Sequence, residues 1–484
     1  MLWRQLLARA QAGPGSPLFI EGDDAVTAGA LIARATAVAG ALIDAGLRPG
    51  DRVGLVLGSG VRLAASLYGV LAAGGVAVPL TPALRREEIR RSLAPCRPRA
   101  VLCDRDRRPE LEGIGQCPVD ADAALGGTGT RGPIEAADAE PERPAFELFS
   151  TGSTGRPRRV VRTHGMLAAE AEQFCAALGL GEGDRILGIP PLFHSYGLCC
   201  VLLAAVASGA SARLLPEFRP ETVLRRATRD RATILCASPF HLRVLSGLTP
   251  RAGVDLGSIR WALSCGAPLA AQVARSFHAR FGVAPRQLYG ASEVGSVSLN
   301  GSSDPLATCE SIGTPLPGVG VRIAREDGRA AEAGEVGEVQ VKSRAGSTRY
   351  EDLPELSARS FRDGWFHTGD LGRREGDGLL YLTGRTKLLI NVGANKVDPL
   401  EVEAALEGHP AVTEAAVLGI ASEHGGEVVK AVVVAAAPVT AEELRLLCGR
   451  QLAAFKVPRV VEFRDRLPRS PNGKLLRGEL MGES

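Results

Sequence analysis

Residues 148–161, Leu-Phe-Ser-Thr-Gly-Ser-Thr-Gly-Arg-Pro-Arg-Arg-Val-Val, bring hydroxyls, glycines and guanidiniums into one short stretch. Such a loop can hold phosphate. Gly152 and Gly155 adopt backbone angles closed to other residues and bring main-chain N–H groups to an anion, while Ser150, Thr151, Ser153 and Thr154 supply hydroxyl donors. Arg156, Arg158 and Arg159 add positive charge, and the valine pair that follows suits a strand. A Walker-type loop would instead place Gly-Lys-Ser/Thr at the mouth of a helix. Taken alone, the stretch also reads as a solvated Ser/Gly linker. Four further constellations follow it in order: Tyr289-Gly290-Ala291-Ser292-Glu293, Trp365-Phe366-His367-Thr368-Gly369-Asp370, Gly384-Arg385-Thr386-Lys387 and Asn472-Gly473-Lys474.

The loop, these four elements and their order resemble the superfamily of adenylate-forming enzymes, which comprises acyl- and aryl-CoA synthetases, adenylation domains of nonribosomal peptide synthesis and beetle luciferases. The resemblance spans nearly the whole chain. It implies an α/β fold with a large N-terminal domain (residues 1–384) of parallel and mixed sheets wrapped by helices, including a distorted β-barrel part. A small mobile α+β lid (385–484) completes it. It further implies a two-step reaction: a carboxylate and ATP give acyl-AMP and pyrophosphate, and a thiol then takes the acyl group.

The resemblance also implies roles. Glu293 is a hard oxygen ligand for the Mg²⁺ that offsets triphosphate charge. Tyr289 stacks on adenine, Ser292 places a hydroxyl near the phosphates, and Gly290 and Ala291 line the same site. Asp370 accepts hydrogen bonds from both ribose hydroxyls, a task for an acceptor-only, bidentate group. Arg385 contacts ribose and phosphate, and Lys387 falls at the hinge position. Lys474 is the catalytic lysine of adenylation, its ammonium bridging the attacking carboxylate and the α-phosphate. Gly266 and Ala267, after Ser264-Cys265, line the adenine and acyl pockets. Gly393, beside Ala394, lies on the loop that lines the pantetheine tunnel. Two departures stand in the phosphate loop. Arg158 replaces the usual lysine, keeping the charge and gaining a bidentate fork but adding bulk. Arg159 replaces a common glycine, so the loop is expected to sit differently from the family norm.

Residues 190–198, Pro-Pro-Leu-Phe-His-Ser-Tyr-Gly-Leu, separate the subfamilies. Amino-acid-activating domains carry an aspartate here that pairs with the substrate ammonium, and none is present, which disfavours an α-amino acid. His194 instead resembles the gate residue of CoA synthetases. The pocket is expected to be largely apolar, drawn from 236–239, Gly266 and 295–297. Fatty and aromatic acids both stay open, as do CoA and a carrier-protein phosphopantetheine as acceptor, since both present the same thiol arm. A degenerate nucleotide-binding scaffold is the non-enzyme alternative, and retention of Glu293, Asp370, Arg385 and Lys474 speaks against it.

The frame that must position these residues is legible in outline. The chain has 484 residues, room for two or three domains. Its 57 basic and 54 acidic side chains interleave to a net charge of +3, without the basic stripe that nucleic-acid binding requires. Ten cysteines without a Cys-x-x-Cys pair suggest reduced core thiols and a cytoplasmic setting. No signal peptide or membrane-spanning run is expected, and a monomer or homodimer fits equally well. Helices are expected over 27–45, 62–74 and 86–93, alternating with strands at 52–57, 76–80 and 100–103, the pattern of a parallel α/β sheet. Residues 120–144 read as a surface linker, and the alternation at 336–341 as an antiparallel part. Residues 401–407, 428–434 and 442–452 read as a compact helix and strand set that suggests the small C-terminal domain.

Overall fold

A computed structural model describes residues 1–114, 117–126, 140–150, 158–248, 253–325, 327–385, 390–393, 395–397, 399–422, 426–468 and 480. The chain divides into two compact units, one of residues 1–82, 93–149 and 159–384, the other of residues 83–92, 150–158 and 385–484.

The larger unit is built on two sheets. In the first, Arg52–Val56 lies between Val76–Leu80 and Ala100–Cys103, all parallel and almost wholly buried, as strands covered on both faces must be. Pro144–Ser150 follows Val76–Leu80, then Arg158–Thr163, and the antiparallel edge strand Tyr350–Glu351 closes the row. Helix Ala28–Asp44 packs against Val61–Ala72. Thr27 caps the former, its hydroxyl accepting from the Ala30 amide at 3.2 Å.

The second sheet changes character along its length. Arg185–Gly188, Ser211–Leu214, Ile234–Ala237, Trp261–Ser264 and Pro285–Ala291 are parallel, whereas Gly295–Leu299, Ser311–Pro315, Val319–Ala324, Gly337–Ser343 and Trp365–Arg374 run antiparallel to their neighbours. This switch carries the antiparallel part expected near 336–341. Among the described residues it forms an open continuation of the parallel strands and not a closed barrel, which corrects that part of the expectation. The reading of 120–144 is corrected as well, because Ala121–Gly126 is a helix with Ala121 and Ala124 in the core. Residues 127–139 lie outside the described part.

In the smaller unit, Val412–Ala421 pairs antiparallel with Glu427–Ala435, and Val460–Phe463 joins in parallel. Helices Pro399–Glu407 and Ala441–Gln451 cover them around Val402, Leu406, Val417, Val433 and Leu444. The Lys456 ammonium is buried between the carboxylates of Glu88 (3.0 Å) and Glu401 (2.9 Å), so its charge is paired on both sides. Among the described residues no helix is long and apolar enough to cross a membrane.

Candidate active site

The switch from parallel to antiparallel pairing places Tyr289, Ser292 and Glu293 together. Pro285–Ala291 turns back into Gly295–Leu299 with Tyr289 opposite Ser298 and a bulge before Gly290. The turn is tight against its support. Gly295 has φ +75°, and a Cβ there would lie 2.6 Å from the carboxyl carbon of Glu170, so the position excludes a side chain.

Two buried groups hold this turn from below. Arg162, with no exposed surface, donates to Glu170 (2.7 Å), to the Ser292 carbonyl (2.9 Å) and to the Ala345 carbonyl (2.9 Å). Glu170 in turn accepts from the amide (3.0 Å) and hydroxyl (3.2 Å) of Ser296. The ion pair thus sits in a shell of further hydrogen bonds, the condition under which a buried pair is tolerated. The Ser347 amide donates to the Glu293 carbonyl (2.7 Å), and the Tyr350 hydroxyl donates to Oε1 of the Glu293 carboxylate (2.9 Å).

Asp370 arrives on the long strand Trp365–Arg374. The Tyr289 hydroxyl donates to its Oδ2 at 2.6 Å, joining two motifs 81 residues apart. Thr368 accepts from the Asp370 amide (3.0 Å) and donates to the Val339 carbonyl (2.7 Å), while Glu338 accepts from the Gly369 amide (3.3 Å) and meets Nδ1 of His367 (2.7 Å). Asp370 is 5% and Glu293 7% exposed, so both carboxylates are shielded enough for directed bonds to fix their orientation.

His194 is half-buried, its ring 5.0 Å from that of Phe193. Its amide donates to the Pro191 carbonyl (3.1 Å), and the Ser195 hydroxyl one residue on lies 3.3 Å from that of Ser292. The segment doubles back so closely that a Cβ on Gly197 would sit 2.2 Å from the Pro191 oxygen. The π-helix Leu198–Leu203 then buries all six residues. Burial pushes the thiols of Cys199 and Cys200 up and that of Cys236 up to about 12, so all three are neutral near pH 7. Gly266, φ +95°, and Ala267 follow strand Trp261–Ser264.

The structure therefore brings Tyr289, Gly290, Ala291, Ser292, Glu293 and Asp370 into one bonded region, with Ser195 linking the His194 segment to it. Ser150 and Arg385 end the strands Pro144–Ser150 and Leu380–Arg385. Arg158 is buried at the start of strand Arg158–Thr163, and Gly393 has φ +61°. Thr151, Gly152, Ser153, Thr154, Gly155, Lys387 and Lys474 lie outside the described residues. Arg159, expected to add positive charge beside the loop, has its guanidinium engaged by Glu147 (3.0 Å) and Asp352. Arg162, Glu170, Glu338 and Tyr350 escaped the sequence reading. The one available signal was a charge after the valine pair and another inside the alanine-rich run 168–171.

Comparison with known proteins decides the family. Residues 6–350 match the AMP-binding enzyme family, and residues 401–474 its C-terminal domain. The chain belongs to the AMP-binding enzyme family. This AMP-binding enzyme is 32% identical over 482 residues to a feruloyl-CoA synthase of Amycolatopsis, covering 98% of this chain and 96% of that one. It is 30% identical over 488 residues to the long-chain-fatty-acid–CoA ligase FadD13 of Mycobacterium tuberculosis, at 98% and 96% coverage. The o-succinylbenzoate CoA synthetase of Bacillus subtilis bound to a product analogue superposes with a TM-score of 0.93, at 31% identity, over 99% of this chain and 98% of that one. These relatives of the AMP-binding enzyme all join an acid to CoA.

The donor set of the AMP-binding enzyme fits a nucleotide-borne Mg²⁺. Glu293 offers a carboxylate, and among the described residues no three His, Cys, Asp or Glu side chains converge as a metal cage would require. Mg²⁺ suits such a site because it binds through one or two carboxylates, the substrate's phosphates and water.

Proposed function

We propose that this enzyme condenses a fatty or aromatic carboxylic acid with ATP to acyl-AMP, releasing pyrophosphate. The CoA thiol then displaces AMP to give the thioester, losing its proton. The observation that carries this reading is the 2.6 Å bond from Tyr289 to Asp370 beside the buried Glu293, which unites two motifs of the predicted nucleotide site.

In this reading Asp370 accepts the ribose hydroxyls, oriented by Tyr289, whose ring faces adenine with Gly266, Ala267, Gly290 and Ala291. Glu293 is the Mg²⁺ ligand, and the cation offsets phosphate charge. Ser292 and the loop Ser150–Thr151–Gly152–Ser153–Thr154–Gly155 with Arg158 hold the departing pyrophosphate. Lys474 stabilises charge that develops between the attacking carboxylate and the α-phosphate. Residues 385–484 act as a lid turning at Lys387, with Arg385 on ribose and phosphate and Gly393 on the thiol's path. His194 gates the acyl pocket. The neutral thiols of Cys199, Cys200 and Cys236 favour an external acceptor over acyl transfer to these protein cysteines.

Pyrophosphate release measured over fatty, aromatic and amino acids, with product analysis using CoA and a carrier protein, tests the proposal. Acid-dependent release and acyl-CoA formation are expected. Release with no acid of a broad panel would sink it, and acylated carrier protein without acyl-CoA would replace the acceptor. Lys474→Ala should abolish pyrophosphate release yet spare thioester formation from supplied acyl-AMP.

A further inference from the structure

The short edge strand Tyr350–Glu351 contributes little to its sheet by length, yet its tyrosine is tied to the site. Tyr350 pairs with Val160 and Glu351 with Arg159. The Tyr350 amide donates to Ser357 Oγ (2.9 Å), which in turn donates to the Tyr350 carbonyl (3.0 Å), so the backbone is fixed from both sides. Its ring is 3% exposed and stands edge-on to Phe361 at 5.2 Å. The hydroxyl then reaches Glu293 Oε1.

Two residues on, Asp352 has φ +61°, a left-handed conformation uncommon outside glycine. That turn delivers its carboxylate to Arg159, whose other terminal nitrogen binds the buried Glu147. The arginine at the position where glycine was expected therefore anchors a strap. Residues 345–352 close over Ser292–Glu293 through the Ser347 amide and the Tyr350 hydroxyl on Glu293, and the Ala345 carbonyl shares Arg162 with the Ser292 carbonyl.

We infer that Tyr350 is a positioning residue for the metal-binding carboxylate, holding Oε1 of Glu293 so that the group is presented in one orientation to the nucleotide-borne cation, with Arg159–Asp352 locking the strap. The inference rests on the proposed role of Glu293. A carboxylate left to rotate binds the cation only in a fraction of its orientations, whereas one fixed by a phenol pays that ordering cost on folding. Tyr350 itself touches no substrate; it acts through Glu293.

The test is Tyr350→Phe, which keeps the ring and its contact with Phe361. Calorimetric titration of the full chain, without acid or CoA, compares MgATP with ATP in excess EDTA. Loss of a hydrogen bond to a charged group corresponds to about a tenfold change or more in affinity. MgATP binding is expected to weaken by about tenfold and metal-free ATP binding to stay at the wild-type value. Asp352→Gly, which relieves the left-handed strain while removing the anchor, should show the same metal-selective loss at a smaller size. Unchanged MgATP binding in Tyr350→Phe, or equal weakening with and without metal, overturns the proposal. Glu293→Gln separates the two levels. If it abolishes the preference for MgATP while Tyr350→Phe keeps it, only the positioning role falls. If it leaves the preference intact, the role of Glu293 fails and the inference with it.

Discussion

Glu293 and Asp370 are each held by a phenol from another strand, and the turn bearing Glu293 rests on the buried Arg162–Glu170 pair. The region proposed to take the acyl group is held differently. The π-helix Leu198–Leu203, Cys236 and the half-buried Phe193 and Tyr196 pack into the apolar core, with long sulfur contacts such as Cys236 to the Cys200 carbonyl at 3.9 Å. Directed bonds fix orientation because they weaken steeply with angle, whereas apolar packing fixes volume and tolerates exchange of shape. The contrast suits the proposed reaction, in which nucleotide and acid are bound by separate regions. Substitutions on the polar side should therefore alter nucleotide handling, and those on the apolar side the choice of acid.

The largest effect is expected at Arg162. Arg162→Leu leaves Glu170 charged and buried without its cation and removes the support of two carbonyls. Breaking a buried pair in this way costs about 3–5 kcal/mol, measurable by chemical denaturation. A loss below about 1 kcal/mol would mean that the polar side is no more tightly specified than the apolar one.

The apolar side has its own buried titratable group. His241 follows strand Ile234–Ala237, packed 4.4 Å from the Phe218 ring, and burial lowers its pKa from 6.5 to about 4. The unfolded chain therefore binds a proton that the folded chain refuses between pH 6.5 and about 4. This contribution to stability is complete above pH 6.5 and is lost as the pH falls towards 4, reaching about 3 kcal/mol. His241→Gln should flatten stability across that window while leaving ATP affinity unchanged. An unaltered pH profile would show that the histidine is hydrated and that this side is less dry than its packing suggests.

At the proposed nucleotide site, Asp370→Asn keeps the shape but turns half of an acceptor-only group into a donor. Losing a charge-assisted hydrogen bond corresponds to about 10- to 100-fold in affinity. The KM for ATP should rise by that order with the KM for the acid nearly constant. An equal rise in both would dissolve the distinction between the two sides.

Much of this division was legible from residue types. The alternation of helix and strand up to Cys103 appears as read, because each segment's period and flanking glycines agree with its packing, and Val76–Leu80 and Arg86–Leu93 match residue for residue. The motif residues from Tyr289 to Glu293 and Asp370 came from the family resemblance, and the structure brings them together. Their supports were not legible. Arg162 and Glu170 look like solvated charges until strand Arg158–Thr163 and helix His164–Leu178 turn both inward, and Tyr350 meets Glu293 across 57 residues. Such partners are set by tertiary register, which local patterns do not carry. The barrel part came from the resemblance and is open among the described residues, since alternating strands fix antiparallel pairing but not whether a sheet closes on itself.

The smallest and most selective effect is expected at Cys236. Its side chain is fully buried, and its thiol is neutral, so it contributes volume and not charge. Cys236→Ala removes one sulfur from a site lined by packing, a loss of about 1 kcal/mol or a little more when neighbours relax only partly. The space gained lies on the strand proposed to border the acyl pocket. Bulkier acids should therefore rise in the ranking of kcat/KM relative to smaller ones, by up to about tenfold, as a methylene-sized change in an apolar pocket allows. The KM for ATP should hold. A fall in ATP affinity comparable to that of Asp370→Asn would place Cys236 in the nucleotide site's support. A changed acid ranking at constant ATP affinity would confine it to the acyl side, where shape is adjusted without disturbing the bonds that orient Glu293 and Asp370.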